Sequence, residues 1–410
     1  MRAYFVGACL LALLCASALA SLAPLHRAID AQRVENEYIV VMKPHVVHAE
    51  WTSYVSDIKL MFATQVQGDI LQEWTIGNNF KAIHVKTSPY AVNFFRTHPA
   101  VEFVEENQVV SISSAQNCLS QSGAIWNLQR INAQAISGMD GKYTYGTEAA
   151  DVDAYIVDTG ILTTHQEFDN GRALWGANFA DSQDTDCNGH GTHVAGTVGG
   201  KTVGIARGVT LYAVKVLGCD GSGTTNGVIS GIQWVAENAR KRGRKSVANM
   251  SLGGGYSSSL NRAVASVVDA GVPFAVAAGN EDQNACNTSP ASEAKAITVG
   301  ATYYSGNFAQ DIRASFSNWG TCVDILAPGQ SIKSAWIGSN SAYNTISGTS
   351  MASPHVCGVA ALTFSANPSY SAADVKSKIL ADSTDNVIDL RCTRSGCSST
   401  PNKLLYSARC

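Results

Sequence analysis

Short apolar runs without alternating polar residues recur along the second half of the chain. They are AYIV (154–157), LYAVKV (211–216), VANMSL (247–252), VPFAVAA (272–278) and AITVGA (296–301). Such runs are typical of strands that are buried on both faces. Between them, apolar residues recur at helical spacing, as at Val228, Ile232, Val235 and Ala239, and within Leu260–Ala270. This alternation predicts an α/β fold with a doubly wound, mostly parallel sheet.

Residues 37–112 have a different pattern, in which strand-like and helix-like stretches follow the order β-α-β-β-α-β. The strand candidates are EYIVVMK (37–43), Ile70–Ile76, FKAIHVK (80–86) and VEFVEENQVVSI (101–112). One helix is predicted where Trp51, Val55, Ile58 and Phe62 share a face, and a second begins at Pro89. The order is that of a ferredoxin-like split unit, so we expect a small α+β unit ahead of the larger one.

The first twenty residues combine one cation, Arg2, with an apolar run and a small-residue ending at Ala18–Ala20. This combination is typical of a secretory signal peptide that is cleaved after Ala20, and a core helix is the alternative interpretation. Elsewhere the sequence has no apolar run that is long enough to span a bilayer. We therefore expect a signal peptide at 1–20, a small unit at 21–116 and a main domain at 117–410, in a secreted protein without a membrane anchor.

Composition narrows the range of partners. The chain has 410 residues, 15% of them charged, and a formal net charge of −3. Because there is no basic surplus, we expect neither nucleic acid nor an anionic membrane as a partner, and we expect a monomer. Of the eleven cysteines, nine remain if Cys9 and Cys15 leave with the signal peptide. In an oxidising compartment these nine predict disulfides and at least one unpaired thiol.

The segment NTISGTSMASPHVCGVAAL (344–362) contains three serines, Ser347, Ser350 and Ser353. The residues after Ser350 are apolar on every face, which is typical of a buried central helix. Pro354 lacks an N–H and is tolerated only near a helix start, so the helix is predicted to begin close to Ser350. Ser350 would then lie beside unpaired backbone N–H groups, which can bind a developing oxyanion. A serine hydroxyl is a weak nucleophile and needs a base.

Two earlier segments offer partners for this serine. Asp158 follows a buried strand directly, and a carboxylate there needs a hydrogen-bond partner. His190 begins a predicted helix between small residues that leave its ring accessible. Each signal is also compatible with a structural role when it is taken alone. Because functional groups collect at the carboxyl ends of parallel strands, we expect all three residues at one rim of the sheet.

Five segments resemble the motifs of the subtilisin superfamily, in particular its proteinase K-like (aqualysin-like) branch: YIVDTGI, GHGTHVAGTVGG, NMSLGGGYSSS, AVAAGNE and ISGTSMASPHVCGVAAL. They follow the chain order Asp, His, Ser of subtilisin and cover about residues 124–385. The resemblance implies a secreted serine endopeptidase that hydrolyses protein and peptide substrates and is made as a self-processing zymogen. The front unit resembles the inhibitory propeptide of the same family.

Catalytic roles follow from the resemblance position by position. Ser350 is the nucleophile that forms an acyl-enzyme, His190 the general base and then acid, and Asp158 the residue that orients His190. Asn280 in AAGNE matches the side-chain donor of the oxyanion hole. No cofactor is expected for catalysis.

The resemblance also implies a peptide-binding cleft. Its walls are two segments that would pair with an extended substrate, Gly221-Ser222-Gly223 and Ser251-Leu252-Gly253-Gly254. Ala277-Ala278-Gly279 would line the pocket for the residue before the scissile bond. None of these residues carries a charge, so we expect broad specificity with a preference for apolar or aromatic residues at that position.

Disulfides and a metal site are implied in the same way. The pairs Cys187–Cys219 and Cys286–Cys322 resemble those of aqualysin-like relatives, and Cys392 and Cys397 would close a third loop. Cys118–Cys410 is one further candidate pair, and Cys357 would be the unpaired thiol. Structural calcium is expected at the Asp324 carboxylate and the backbone oxygens of Ala294 and Ala296.

Two other function classes remain open at this point. The first is a catalytically inactive subtilisin-like module that binds peptides without cleaving them. The second is a metal-dependent hydrolase, because His193 lies three residues after His190. Against the second, HGTH has Gly191 where the zinc-protease motif requires Glu.

Overall fold

A computed structural model describes residues 22–28, 33–77, 79–108, 118–305 and 310–408 of the chain. The chain divides into two compact units, Met1–Ser114 and Ala115–Cys410. The predicted signal peptide at 1–20 and the predicted processing region near 113–117 lie outside the described residues. In the described part of the chain, none of the helices is both long and apolar enough to cross a membrane.

The first unit is an α+β sandwich of one sheet and two helices. Its strands are β1 (Leu25–His26), β2 (Arg33–Met42), β3 (Gly68–Ile76), β4 (Phe80–Thr87) and β5 (Val101–Gln108), and its helices are α1 (His48–Thr64) and α2 (Val92–Thr97). The strand order is β1-β5-β2-β4-β3. Apart from the short β1, this is the order of a ferredoxin-like unit, and the prediction is confirmed. The second helix begins three residues after Pro89, at Val92.

A single apolar core holds this unit together. Helix α1 buries Trp51, Tyr54, Val55, Ile58 and Met61 on one face against the sheet. Phe62, which the spacing placed on the buried face, is only partly buried. The helical period of 3.6 residues therefore identified the buried face correctly to within one position.

The second unit contains the larger sheet and the remaining elements. Its helices are α3 (Trp126–Ile131), α4 (His190–Gly199), α5 (Thr225–Arg242), α6 (Ser258–Asp269), α7 (Thr349–Ala366) and α8 (Ala372–Asp382). Its strands are β6 (Leu119–Ser122), β7 (Lys142–Tyr145), β8 (Val152–Asp158), β9 (Ala173–Asn178), β10 (Thr210–Lys215), β11 (Lys245–Met250), β12 (Gly254–Gly255), β13 (Phe274–Ala277), β14 (Thr288–Ser289), β15 (Ile297–Ser305), β16 (Gln310–Arg313), β17 (Ile325–Pro328), β18 (Ile332–Ala335), β19 (Tyr343–Ile346), β20 (Thr384–Asp385), β21 (Ile388–Asp389) and β22 (Lys403–Leu404).

The central sheet is mostly parallel, as predicted. Its order over the described strands is β20-β22-β17-β15-β13-β11-β8-β10-β9, and β16 and β21 extend it beside β15. The strands from β17 through β15, β13, β11, β8 and β10 to β9 all pair in parallel. Their carboxyl ends therefore lie along one edge of the sheet and their amino ends along the opposite edge.

Successive residues of β8 pack into two different helical layers. Ala154 and Ile156 belong to an apolar cluster with α4 and α7, whereas Tyr155 and Val157 belong to a cluster with α5 and α6. All seven residues of β8 are buried. Because both faces of the strand are covered, its sequence lacks polar alternation, and this arrangement is the doubly wound one that the apolar runs predicted.

Three disulfides join pairs of described residues in the second unit. They join Cys187 to Cys219 and Cys286 to Cys322, the two pairs that the resemblance implied, and Cys392 to Cys397, the predicted small loop. The first two close loops of 32 and 36 residues, which corresponds to about 3–4 kcal/mol each in the chain-entropy picture. Cys118 is also disulfide-bonded, whereas Cys410 lies outside the described residues. Cys357 is a buried free thiol.

Candidate active site

Asp158 and His190 meet at the carboxyl edge of the sheet. Asp158 is the last residue of β8, and His190 is the first residue of α4. His190 Nδ1 lies 2.7 Å from Asp158 Oδ1, with Asp158 fully buried and the His190 side chain 25% exposed. A side chain at position 191 would collide with the carbonyl oxygen of Gly160. Gly191 therefore allows the helix to start this close to the end of β8.

Asp186 fixes the start of the same helix, a role that sequence reasoning missed. Its buried carboxylate accepts hydrogen bonds from the backbone N–H groups of Gly189 (2.8 Å) and Thr192 (2.9 Å) and from the Thr192 hydroxyl (2.6 Å). It also accepts a bond from Thr159 Oγ1 at 2.9 Å, beside Asp158. An anion is favourable at a helix N-terminus, where N–H groups lack intrahelical partners. The signal in the sequence was an aspartate just before the helix start.

These charges alter the acidity of His190. Burial lowers the pKa of its ring, but the Asp158 charge, the Asp158 hydrogen bond and the more distant Asp186 charge raise it by more. The net pKa is therefore raised above the ordinary histidine value. A ring with this environment holds a proton readily once it has taken one, which suits transient proton transfer.

Ser350 lies at the start of α7, as the position of Pro354 predicted. The helix begins at Thr349, and Ser350 is its second residue. In the described part of the chain, Ser350 Oγ donates to the carbonyl oxygen of Ser251 at 3.2 Å, and it makes no hydrogen bond to His190. Catalytic hydrogen bonds are often long or unmade without substrate, so the unmade bond does not exclude this pair.

Pro354 also explains the hydrogen bond of a neighbouring serine. In a regular helix the N–H of residue 354 would donate to the carbonyl oxygen of Ser350, but proline has no N–H. Ser251 Oγ donates to that carbonyl oxygen instead, at 2.7 Å. Ser251 Oγ in turn accepts from Asn249 Nδ2 at 2.8 Å, and Ser353 Oγ donates to Asn249 Oδ1 at 2.7 Å. Side chains at the end of β11 thus hold the first turn of α7 in place.

Asn280 and the Ser350 backbone border one small space. Asn280 Oδ1 accepts from Thr349 N at 2.8 Å and from Thr349 Oγ1 at 3.0 Å, which fixes the amide plane. A Cβ added to Gly348 would lie 3.6 Å from both Asn280 Nδ2 and Ser350 N. Glycine at 348 therefore leaves open a space that two N–H donors face. An oxyanion in this space would accept hydrogen bonds from both of them.

The surface beside these residues is recessed in two neighbouring parts. The first part, of about 480 Å³, is lined by His190 together with Gly221-Ser222-Gly223 and Ser251-Leu252-Gly253-Gly254. The second, of about 520 Å³, is lined by Ser350, Asn280 and Ala277-Ala278-Gly279. Leu252 to Gly255 border both parts. All ten residues that were predicted to contact substrate therefore line one of these two parts, and we call the two parts together the groove.

The second pocket holds a charge that the sequence reasoning had not assigned to it. Glu281 lines this pocket, and its Oε2 accepts from Asn318 Nδ2 at 2.9 Å. The residue follows Asn280 directly in AAGNE. The pocket thus combines apolar walls with one carboxylate.

Glycine is present in the groove for two different reasons. A Cβ at Gly223 would lie 2.3 Å from the carbonyl oxygen of Val216, so the chain itself requires glycine there. At Gly254 and Gly255 a Cβ would meet nothing within 4 Å. The open space beside these two residues is the side of the groove from which an extended peptide can approach β12 closely.

The predicted calcium site is wrong for this chain. Lys376 Nζ donates to the carbonyl oxygens of Ala294 (2.9 Å) and Ala296 (2.6 Å), and it lies 2.9 Å from Asp324 Oδ1. A calcium ion lies 2.3–2.6 Å from its oxygen ligands. An ion bound to these three oxygens would overlap the ammonium group, so the residues present do not fit it.

The other groups that could bind a metal ion or a proton have structural roles. Among the described residues, one cluster of Asp181, Cys187 and Cys219 has metal-like spacing, but the two cysteines are joined to each other. Burial lowers the pKa of both His193 and His355 to about 4. His193 Nε2 lies 2.9 Å from the Ile332 carbonyl oxygen, and His355 Nδ1 lies 2.8 Å from that of Met351. Both rings are therefore neutral core residues.

Comparison with known proteins identifies the family. Residues 154–396 match the subtilase family, peptidase S8. An extracellular serine proteinase of Thermus sp. (strain Rt41A) is 48% identical over 314 residues, which are 76% of this chain and 72% of that protein. The subtilisin-like serine protease Pen c 2 of Penicillium citrinum is 40% identical over 448 residues, which are 98% and 96%.

A solved structure agrees with these relatives. The crystal structure of a cold adapted subtilisin-like serine proteinase is 47% identical and has a TM-score of 0.63, covering 70% of this chain and 99% of that one. The subtilisin-like fold that was predicted is therefore confirmed. The chain belongs to the subtilase family and is a serine protease.

Proposed function

We propose that the chain is a secreted endopeptidase that cleaves peptide bonds through an acyl-enzyme on Ser350. The observation that carries this proposal is that His190, held by Asp158, and Ser350, at the start of a buried helix, line two neighbouring cavities that share the segment from Leu252 to Gly255. His190 Nε2 takes the proton of Ser350 Oγ as the oxygen attacks the substrate carbonyl, and then gives it to the leaving amine. Asp158 holds the ring in one tautomer and stabilises its cation.

The oxyanion of the tetrahedral intermediate is bound by Asn280 Nδ2 and the Ser350 N–H. Support comes from their common distance to the space that Gly348 leaves open. Donors that are already oriented need no rearrangement when the charge develops, so they stabilise the transition state more than water does. Water then attacks the acyl carbon while His190 takes its proton, and His190 returns that proton to Ser350 Oγ as the carboxylic acid product leaves.

Substrate would bind as an extended strand against Leu252-Gly253-Gly254, with the residue before the scissile bond in the pocket of Ala277, Ala278 and Gly279. The apolar walls favour apolar and aromatic residues at that position. Because Glu281 places a carboxylate in the pocket, Lys and Arg are also accepted there, but less well than apolar and aromatic residues. Sequencing the products of a denatured protein tests this order of preference, and cleavage confined to Lys and Arg would contradict it.

Maturation would follow the domain order 1–20, 21–116 and 117–410. The signal peptide directs export, and the ferredoxin-like unit acts as an inhibitor and folding aid until the junction near 113–117 is cut. In support, the first unit has its own core and ends before Ala115. The secreted enzyme is a monomer with protein or peptide substrates.

The precursor itself provides the test. Ser350→Ala should remain uncut when it is expressed alone and should hydrolyse no peptide, because both reactions need the same hydroxyl. Ser347→Ala is the matched control, since the Ser347 hydroxyl only accepts a hydrogen bond from Ser331 N at 2.8 Å. Normal maturation of Ser350→Ala in the absence of other proteases would contradict self-processing, and its full peptidase activity would contradict the nucleophile.

A further inference from the structure

Lys376 saturates a three-oxygen cradle at the amino edge of the sheet. The cradle consists of the carbonyl oxygens of Ala294 and Ala296, just before β15, and Asp324 Oδ1, just before β17. An ammonium group has three N–H donors and no acceptor. Each donor here has one oxygen at 2.6–2.9 Å.

From this geometry we infer that Lys376 is a built-in replacement for a bound cation, which makes this site independent of calcium. The Asp324 carboxylate supplies one negative charge, and the ammonium neutralises it without a second carboxylate. Asp324 is further fixed because its Oδ2 accepts from Thr298 N at 2.8 Å. The Lys376 and Asp324 side chains are 18% and 23% exposed, so water screens the pair only in part.

The Lys376 ammonium group joins three elements that are distant in sequence. Lys376 lies on α8, whose start is fixed by a capping box between Ser371 and Asp374. Its ammonium ties this helix to the segment that leads from Ser289 and Ala291, which line the substrate pocket, into β15. The contact thus ties α8 to the segments before β15 and β17 by a covalently attached cation rather than an exchangeable one.

Truncating the lysine should uncover the oxygens for a metal ion. Lys376→Ala leaves the two carbonyl oxygens and the carboxylate facing a space of cation size. Oxygen sites with one carboxylate bind calcium weakly, in the millimolar range of extracellular modules. Lys376→Met removes the charge but keeps the stem in the cradle, so it should not bind the ion.

The test is the calcium response of thermal unfolding, measured on the secreted enzyme with its activity blocked by a serine-directed inhibitor. We expect Lys376→Ala to unfold at a lower temperature in chelator and to regain about 2–4 °C in millimolar calcium, beyond any response of the unchanged enzyme. Lys376→Met should also unfold at a lower temperature, but calcium should not raise that temperature. Lys378→Ala on the same helix is the matched control, since its partner is Asp382 one turn away.

Two results would overturn the inference. One is a calcium response of Lys376→Ala no larger than that of the unchanged enzyme, with no additional calcium bound per chain in calorimetric titration. The other needs no lysine variant: a calcium response of the unchanged enzyme that Asp324→Asn abolishes would show that the ion, and not the lysine, occupies the cradle. If Lys376→Ala fails to fold, this second comparison still decides.

Discussion

The two edges of the central sheet each hold a carboxylate beside a basic nitrogen group, Asp158 with His190 and Asp324 with Lys376, but the two basic groups differ in what remains free. At the amino edge, each N–H donor of Lys376 has an oxygen partner. At the carboxyl edge, His190 Nδ1 is bound to Asp158, and its other nitrogen has no hydrogen-bond partner among the described residues. An ammonium group whose donors are all paired holds elements together, whereas an imidazole with one open nitrogen can take up a proton and pass it to a substrate.

This contrast shows why a pair of a carboxylate and a basic nitrogen group has a different role at each edge of the sheet. Parallel sheets bring their chain crossings and helix starts to the carboxyl edge, where groups remain accessible to ligands. At the amino edge the donors of Lys376 are all bound to oxygens of the chain, so this pair contributes to stability rather than to chemistry. Matched substitutions at the two carboxylates can separate these roles.

The largest expected effect is at the carboxyl edge. Asp158→Asn should lower kcat by about 10⁴-fold at neutral pH, because an amide favours the wrong ring tautomer and cannot stabilise the imidazolium. Steady-state kinetics on a short peptide measures it. A decrease of less than tenfold would show that Asp158 does not orient His190.

The same substitution at the amino edge is the counterpart. Asp324→Asn should leave kcat at ambient temperature unchanged, since Asp324 lies outside the groove. It should lower the free energy of unfolding by about 1–3 kcal/mol, because Lys376 loses its charged partner. A kcat that changes as strongly as in Asp158→Asn would contradict the division between the edges.

The next effect concerns the oxyanion. Asn280→Ala should lower kcat by about 10²–10³-fold with little change in KM, because the lost donor acts on charge that develops only in the transition state. Thr349→Ser is the control, since it keeps the hydroxyl that donates to Asn280 Oδ1. Equal losses in kcat and in substrate affinity would indicate a ground-state contact instead.

A smaller effect is expected where Ser251 supports α7. Ser251→Ala should cost about 1–3 kcal/mol of stability, because the Ser350 carbonyl oxygen and Asn249 Nδ2 both lose a partner. Pro354→Ala supplies the missing N–H, so the double variant should lose less than the sum of the two single variants. Strict additivity in denaturant unfolding would show that the two residues do not share that carbonyl oxygen.

The smallest effect is a shift of the pH profile. His190 must be neutral to accept a proton, and its pKa is raised, so the acid limb of kcat/KM should lie above the ordinary histidine value of about 6.5. Asp186→Asn removes one of the charges that raise the pKa and should move the limb to lower pH. A limb that moves to higher pH would contradict the assigned cause.

The raised pKa has a corresponding effect on stability. Folding favours the protonated ring of His190, because its pKa is higher in the folded chain than in the unfolded one. Its contribution to the free energy of unfolding is therefore fully present below the pKa of the unfolded state, and it is lost as the pH rises through the pKa of the folded state.

Much of this organisation could be predicted from local sequence. Apolar runs without alternation revealed the buried strands, and the apolar helix after Ser350 placed that serine at a helix start, because both patterns report burial directly. The helix-start partners of Asp186, Gly189 and Thr192, also lie close by in sequence, so a helix-start signal could have found them. Lys376 could not be found in this way, since its oxygens lie about 50 to 80 residues earlier and only the folded chain brings them together.

The same limit applies to Ser251 and Pro354. A proline one turn into a helix indicates that a carbonyl oxygen has lost its partner, but it does not say which residue replaces the missing donor. Resemblance transfers reliably where all partners belong to the matched motifs, as at Asp158 and His190. It failed at Asp324 because a residue outside the motif entered the site.

Peptide mapping of the mature enzyme after reaction with a fluorophosphonate tests the proposed nucleophile most directly. The reagent bonds covalently to a serine that a neighbouring base activates, and ordinary serines elsewhere in the chain stay unmodified. We predict a single adduct on Ser350, with a labelling rate that falls on acidification as His190 becomes protonated. An adduct on another serine, or an active enzyme that remains unlabelled, would contradict the assignment of Ser350, His190 and Asp158 to one reaction.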